Sequence, residues 1–142
     1  MKVVVIDGQG GRAGQLFIAK LRESNFSCHI TAVGTNAIAT SAMLKAGADV
    51  GATGENPVLV ACRKADVIVG PIAILTADAL CGEVTPAMAK AVGQSDAVRL
   101  LLPVNHRCQN VVVGVPDMSF SEVAEKAVQW LLENEKQIGQ AD

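Results

Sequence analysis

A glycine-rich segment near the start of the chain has the composition of a phosphate-binding turn. Residues 3–14 read VVVIDGQGGRAG, an apolar run followed directly by closely spaced glycines and one arginine. The spacing Gly8-x-Gly10-x-x-Ala13 matches the dinucleotide-binding fingerprint in the form that ends in alanine. At such a turn, backbone N–H groups opening the next helix point at a phosphate, and the helix dipole favours its charge. The segment therefore predicts a site for a small phosphorylated ligand.

Each position of this pattern has a predicted role. Gly8 permits the tight turn, Gly10 lets the backbone approach a phosphate, and Ala13 lets the following helix pack closely against the strand. Arg12 adds a mobile positive charge. A second interpretation is that the segment is a structural strand-to-helix turn that binds nothing. The order of strand, loop and amphipathic helix favours the first interpretation.

Three further loops of glycine and small polar residues follow predicted strands, at residues 34–36, 53–56 and 70–72. Loops that follow parallel strands lie at one edge of the sheet, where such folds bind ligands. Any one loop has an ordinary explanation as a turn or a helix cap, but together they indicate a site. The candidate binding residues are Asp7, Gly8, Gln9, Gly10, Gly11, Arg12, Ala13, Gly34, Thr35, Asn36, Thr53, Gly54, Glu55, Asn56, Gly70 and Pro71.

Two resemblances accompany these motifs. GQGGRAG, at residues 8–14, resembles the N-terminal cofactor loop of dihydrodipicolinate reductases, which carry a similar G-x-G-G-R-x-G stretch. Most of the chain is similar to a family of small bacterial Rossmann-like proteins of uncharacterised function. That likeness is carried by DGQGG, by GTNAIATSAMLKAGA at 34–48, by GATGEN at 51–56 and by ADVIVGPI at 65–72. The second resemblance implies a Rossmann-like fold and no particular activity.

The elements that must position these loops alternate along the chain. Apolar runs predict strands at residues 3–6, 29–33, 48–52, 66–69 and 98–102. The first is apolar without alternation, which is typical of a strand covered on both faces. Between them, periodicity and caps predict helices after the first turn and at 36–46, 56–64, 72–81 and 85–92, with Thr35 or Asn36, Asn56 and Thr85 as caps. A Ser119–Glu122 capping box opens the last predicted helix.

This alternation predicts one domain, residues 1–142, with an α/β, Rossmann-like, doubly wound, mostly parallel sheet and its first strand in the middle. Another apolar run, residues 111–115, follows the fifth strand after only about nine residues. That is too short for the usual crossover between parallel strands. We therefore expect an antiparallel edge strand there.

The cofactor is left open by the loop after the second strand. NAD enzymes usually place an acidic residue there for the ribose hydroxyls, whereas this chain has Gly34, Thr35 and Asn36. NAD(P), a mononucleotide or another phosphorylated metabolite therefore all stay open. Asp7 would repel a pyrophosphate unless Mg²⁺, shared with Glu55, lay between them. We favour the alternative, in which Asp7 accepts loop N–H groups and Glu55 is solvated, and we predict no metal site.

Residues that could catalyse a reaction are few. The chain has no tyrosine, no G-x-S-x-G and no P-loop, which removes three common classes of α/β enzyme. His106, Arg107 and Cys108 follow the fifth predicted strand and could serve as base, anion clamp and thiolate, or form only a polar loop. The catalytic residues are therefore unknown. A small reductase or transferase, including an NAD(P)-type reductase, and a non-catalytic sensor or accessory module are both compatible with the sequence.

Composition limits the partners. The net charge of −2, without a basic stripe, argues against nucleic acid as a partner. The first apolar run ends at Asp7 and is too short for a signal sequence or a membrane span, so we expect a cytoplasmic protein. The four cysteines lack metal-ligand spacing and are expected as free thiols.

The apolar fraction of 50% and one aromatic residue predict self-association. Trp130 lies away from the apolar stripe of the last predicted helix, where it could anchor an interface or fold back over the edge strand. We expect a homo-oligomer, most simply a two-fold dimer.

Overall fold

The molecule is built around a five-stranded, all-parallel sheet. A computed structural model describes residues 1–104, 110–138 and 140. The strands are β1 (Lys2–Asp7), β2 (His29–Gly34), β3 (Val50–Thr53), β4 (Val67–Pro71) and β5 (Val98–Leu102), in the order β3-β2-β1-β4-β5. This confirms the predicted α/β, Rossmann-like class with β1 in the middle.

Helices cover both faces of the sheet. They are α1 (Arg12–Glu23), α2 (Ala37–Lys45), α3 (Glu55–Cys62), α4 (Pro86–Gln94) and α5 (Phe120–Ile138), with a short 3-10 helix at Ile72–Leu75. Buried side chains of α1, α2 and α5 share one apolar core, and those of α3 and α4 share the other. Within the described residues, no helix is long and apolar enough to cross a membrane.

The surroundings of the central strand β1 explain why its sequence is apolar throughout. Val3 and Val5 belong to the core on one face of the sheet, whereas Val4 and Ile6 belong to the core on the other. All four side chains are at most 4% exposed. A strand that is dry on both faces needs apolar residues throughout, so the uninterrupted run was a sound signal.

Local capping signals are confirmed at several helix ends. The Asn36 side chain accepts the Ala39 N–H at 2.9 Å, and Thr85 accepts the Met88 N–H at 3.2 Å. In the capping box, the Ser119 N–H donates to Glu122 at 2.8 Å and the Glu122 N–H donates to Ser119 at 3.2 Å. These bonds satisfy N–H groups that a helix leaves without partners in its first turn.

The predicted antiparallel edge strand at residues 111–115 is wrong. In the described part of the chain this segment forms a turn, in which the Val115 N–H donates to the Val112 carbonyl at 3.3 Å. Gly114 has φ +84, which interrupts the extended backbone that a strand requires. Val111 and Val113 are 82% and 92% exposed, so their apolar character reflects no burial in this chain.

Two helix predictions also need correction. Helix α3 begins at Glu55 after Gly54, which has φ +107, so Asn56 lies inside the helix instead of capping it. The helix predicted at 72–81 ends after the 3-10 turn Ile72–Leu75. Asp78, Leu80 and Cys81 have φ between 56 and 65, a left-handed conformation that excludes an α-helix. Residues 76–84 therefore form an irregular connection over the carboxyl edge of the sheet; we call them the crossing segment.

Candidate functional site

The described carboxyl edge of the sheet holds a cleft of about 370 Å³ between β1 and β4. Helices change from one face of the sheet to the other between these two strands, and ligands bind at such a switch point in open α/β sheets. The lining residues are Asp7, Gly8, Gln9, Gly10, Gly11, Arg12, Ala13, Pro71, Ala73, Leu80, Val104 and Phe120.

Three glycines of the loop are needed for the fold itself. Gly11 has φ +70, and a β-carbon added there would lie 2.8 Å from Ala39 Cα. At Gly14 it would lie 2.6 Å from Met43 Sδ, and at Gly8 it would lie 2.6 Å from Thr35 Oγ1. Gly14 therefore also lets helix α1 pack closely, beside Ala13, the position that the fingerprint suggested, which is 5% exposed in the core on that face of the sheet.

Gly10 differs from these three glycines. It is exposed and lines the cleft, and a β-carbon added there would meet no described atom within 4 Å. Its N–H group and that of Arg12 donate no hydrogen bond within the described residues, whereas the Gly11 N–H donates to the Gly8 carbonyl at 2.9 Å. Gly10 and Arg12 therefore present the free backbone donors of the loop.

Asp7 binds the loop to the start of helix α1. The residue is 5% exposed, and its carboxylate accepts the Gly8 N–H through Oδ1 and the Gly14 N–H through Oδ2, both at 2.8 Å. Burial raises the pKa of Asp7 to about 6, against the lowering effect of these hydrogen bonds. The protein thus supplies an internal acid at this helix N-terminus, and that acid titrates near neutral pH.

Glu83, in the crossing segment, is not among the site residues predicted from the sequence. Its Oε1 atom accepts hydrogen bonds from the Gln9 N–H at 3.0 Å, the Thr35 hydroxyl at 2.8 Å and the Asn36 amide at 2.5 Å. Partial burial raises the pKa of Glu83, but the three hydrogen bonds outweigh it and hold that pKa below its usual value. No local pattern signals this role, because Glu83 is 48 residues away from Thr35 in sequence.

Arg12 provides the positive charge of the cleft. Its guanidinium lies 5.7 Å from the centre of the Phe120 ring, a cation–π geometry that holds an otherwise mobile side chain at the rim. Among the described residues, no carboxylate forms an ion pair with Arg12. Its charge is therefore available to an anion.

Two of the other predicted loops lie at the cleft or beside the glycine loop of residues 8–14. Pro71 lines the cleft, and Gly70, buried behind it, lies where a β-carbon would meet Ile74 Cδ1 at 2.8 Å. Residues 34–36 adjoin the glycine loop, since the Thr35 N–H donates to the Asp7 carbonyl at 2.9 Å and the Asn36 amide donates to the Gln9 carbonyl.

The loop after β3 does not line the cleft. Thr53 shares a hydrogen bond with Thr40 at 2.7 Å, and the Gly54 N–H donates to the Gly34 carbonyl at 2.9 Å. Glu55 accepts the Thr85 hydroxyl at 2.6 Å, and Asn56 lines a different groove, beside α3. These residues support the neighbouring elements instead of facing the glycine loop.

The carboxylates considered for Mg²⁺ have protein partners. Asp7 accepts two backbone N–H groups, as in the interpretation that we favoured, and Glu55 is exposed and bonded to Thr85. In the part of the chain that the structure describes, no group of three or more His, Cys, Asp or Glu residues could hold a metal ion. His106, Arg107 and Cys108 lie outside the described residues.

Comparison with known proteins identifies a family without a stated activity. A search of the curated proteins finds no match to this chain. One family model covers nearly all of the chain and is described as a domain of unknown function. The chain, through residues 2–136, belongs to that family, DUF3842.

Proposed function

We propose that this protein binds a nucleotide or related phosphorylated ligand in the cleft between β1 and β4, with its phosphate on the loop at Gly10 and Arg12. The observation that carries the proposal is the open floor of the cleft at the switch point of the sheet, where no described atom lies within 4 Å of a β-carbon added at Gly10. Two free backbone N–H groups at the start of α1 suit a phosphate oxygen, and the helix dipole adds to them.

The charges at the cleft support one phosphate group better than an extended polyanion. Arg12 has no carboxylate partner among the described residues and can pair with a phosphate. Asp7 and Glu83 both accept N–H groups of the same loop and would repel further negative charge. A mononucleotide or a sugar phosphate therefore fits readily. An NAD(P)-type ligand, including that of a small reductase, stays within the proposal.

The opposite wall of the cleft is apolar and suits the body of such a ligand. Pro71, Ala73, Leu80, Val104 and Phe120 line it. Ligand sites commonly combine such a wall with a few polar groups that fix orientation. A base or another flat ring is the expected occupant of this wall.

Binding can be tested with a thermal-shift panel of NAD(H), NADP(H), and adenine and guanine nucleotides, followed by calorimetry on any compound that responds. A true ligand at about a hundred times its Kd adds roughly 2.7 kcal/mol of stability. Gly10→Val should abolish the response, because Gly10 lines the cleft and the added side chain would take space that the ligand needs, while its β-carbon would lie more than 4 Å from any described atom. The matched control is Gly93→Val, since Gly93 is exposed on α4 and does not line the cleft.

The result expected is a ligand response in the wild type and in Gly93→Val, and none in Gly10→Val. If no phosphorylated compound raises the melting temperature, the proposal fails. It also fails if Gly10→Val responds as the wild type does, since the ligand would then bind elsewhere.

A non-catalytic sensor or accessory module is the second candidate. Among the described residues that line the cleft, only Asp7 and Arg12 carry ionisable side chains. Few side chains in the cleft can therefore act as a general acid or base. Ligand binding without turnover, together with a complex that forms only with ligand bound, would support the sensor; turnover of the bound compound would support an enzyme.

We propose that the protein is a two-fold homodimer in the cytoplasm. Trp130 is 39% exposed on α5, whereas Val123, Ala127 and Leu131 of the same helix are buried. Large apolar residues that one chain leaves partly uncovered suit an interface. Light scattering at micromolar concentration tests the dimer, because a monomer mass would reject it. A Trp130→Ala variant that keeps the assembly would remove Trp130 from the interface.

The proposed location in the cytoplasm is supported by the cysteines. The free thiols of Cys28, Cys62 and Cys81 suit a reducing compartment.

A further inference from the structure

Glu83 places a carboxylate near the end of β2, where the sequence itself has no acidic residue. Rossmann folds that bind an unmodified ribose use an acidic residue at the end of the second strand to accept its hydroxyls. Here β2 ends in Gly34, followed by Thr35 and Asn36. The side chains of these last two residues both donate to Glu83, which comes from the opposite side of the switch point. The acid missing from β2 is thus present at its end, supplied by the crossing segment.

The carboxylate is fixed in place and has acceptor capacity to spare. All three protein donors bond to Oε1, and no described residue donates to Oε2. Asn36 donates both to Glu83 and to the Gln9 carbonyl, so it ties the carboxylate to the glycine loop. A preorganised acceptor of this kind loses little conformational entropy when it bonds to a ligand hydroxyl.

The Glu83 carboxylate is a close neighbour of the proposed phosphate position along the loop. Glu83 Oε1 lies 3.0 Å from the Gln9 nitrogen, and Gln9 directly precedes Gly10. Consecutive Cα atoms are about 3.8 Å apart. The carboxylate thus bonds to the residue next to the one on which we place the phosphate, so one nucleotide could contact both.

We propose that Glu83 accepts the ribose hydroxyls of the ligand, so that the site selects a nucleotide with a free 2′-hydroxyl and rejects one with a 2′-phosphate. This inference rests on the proposed function, because it requires a phosphate on the Gly10 side of the loop. It narrows the ligand class to nucleotides with an unmodified ribose. Glu83 is not among the described residues that line the cleft; it lies next to Gln9 on the β2 side of the loop, so the ribose must extend from the phosphate toward that side to reach it. There Glu83 acts by direct contact, while Thr35 and Asn36 are positioning residues.

The test uses three compounds that differ only at one carbon: AMP, 2′-deoxy-AMP and adenosine 2′,5′-bisphosphate, with GMP to cover the other purine. Calorimetry on the full chain should show AMP binding about tenfold more tightly than 2′-deoxy-AMP, the usual effect of one hydrogen bond to a charged group. The 2′,5′-bisphosphate should bind more weakly still, because its second phosphate meets the carboxylate.

Glu83→Gln is the decisive variant. It keeps an oxygen that can accept the three protein hydrogen bonds, so the fold should survive, but it removes the charge. The preference for AMP over the 2′,5′-bisphosphate should fall at least about tenfold. Glu135→Gln, which removes the same charge from an exposed position on α5, should leave that preference unchanged.

The outcomes separate this inference from the proposed function. If AMP and GMP bind no better than 2′-deoxy-AMP and the 2′,5′-bisphosphate, the ribose contact is refuted, while a response that depends on Gly10 still supports phosphate binding. If Glu83→Gln strengthens AMP binding, Glu83 blocks the ribose position instead of serving it. If no phosphorylated compound binds, both proposals fall together.

Discussion

The two halves of the carboxyl edge are built differently. On the β1–β2 side, the glycine loop is covered: Gly8 packs against Thr35 and Leu80, and Gln9 donates to Glu83. On the β4 side, the same loop faces a cleft with an apolar wall, and Gly10 meets no described atom that a β-carbon would disturb. The loop of residues 8–14 therefore packs against neighbouring elements on one side and faces the open cleft on the other.

This difference shows why a glycine pattern is an ambiguous signal. Glycine is required where backbone or side chains approach too closely for a β-carbon, and it is also useful where a ligand must approach. Gly11 belongs to the first kind and Gly10 to the second, although they are adjacent in sequence. Only the surroundings of each residue distinguish them. Substitutions on each side of the loop can test this division between a closed and an open side.

The largest effect is expected from a methyl group on the closed side. Gly11→Ala should cost about 3 kcal/mol or more, because φ +70 strains an alanine and its β-carbon would lie 2.8 Å from Ala39 Cα. The neighbouring change Gly10→Ala should alter stability by less than about 0.5 kcal/mol. Urea unfolding of both variants measures the two costs. Equal costs would erase the distinction between the two sides.

Next in size is the pH dependence that Asp7 gives to the closed side. Burial raises the pKa of Asp7 from 3.8 to about 6, so between these values the folded chain holds a proton that the unfolded chain has released. Stability from this group is therefore full below pH 4 and is lost as pH rises through 6, by on the order of 3 kcal/mol. Asp7→Asn does not titrate, so the difference between wild type and variant should change across this window. A constant difference from pH 4 to 7 would contradict the assignment.

On the open side, a change at Arg12 should affect binding and leave the fold intact. Arg12→Gln is expected to lower the affinity for the phosphorylated ligand found in the thermal-shift panel about tenfold, since it removes one charge-assisted contact. Stability should change little, because Arg12 is exposed and loses only its contact with Phe120. Arg63→Gln, an exposed arginine at the end of α3, serves as the control. Unchanged affinity in Arg12→Gln would remove this side chain from the site.

The smallest effect is expected from one hydroxyl between the two halves. Thr35→Val keeps the shape of the side chain but removes the 2.8 Å hydrogen bond to Glu83, at a cost of about 1 kcal/mol. The pKa of Glu83 should rise toward its ordinary value, because one of the bonds that stabilise its charged form is gone. Carboxyl NMR titration of wild type and variant measures this shift. A Glu83 pKa that does not move would show that Thr35 does not position the carboxylate.

Much of the architecture was predictable because its causes are local. The dry central strand required an apolar run at residues 3–6, and the caps at Asn36, Thr85 and Ser119 lie within a few residues of the N–H groups that they satisfy. The errors arose where a local signal was ambiguous. The apolar run at 111–115 resembles a strand, yet Gly114 turns the chain and leaves its valines exposed.

The candidate site was predictable only in part. The sequence indicated the glycine loop and Pro71, which do line the described cleft, and it also indicated Thr53–Asn56, which do not. The loop after β3 follows a parallel strand, but its side chains bond to Thr40 and Thr85 instead of facing β1. Sharing an edge of the sheet is therefore a weaker condition than sharing a cleft.

By itself, the sequence determined the alternation of strands and helices, the apolar run of β1 and the glycine turn, because each depends on periodicity or on neighbours along the chain. Tertiary structure alone decided which glycine is open, raised the pKa of Asp7 through burial and brought Glu83 to the end of β2. These features depend on contacts between residues far apart in sequence. Such contacts form only when the crossing segment folds over the sheet, and no spacing of residue types encodes them.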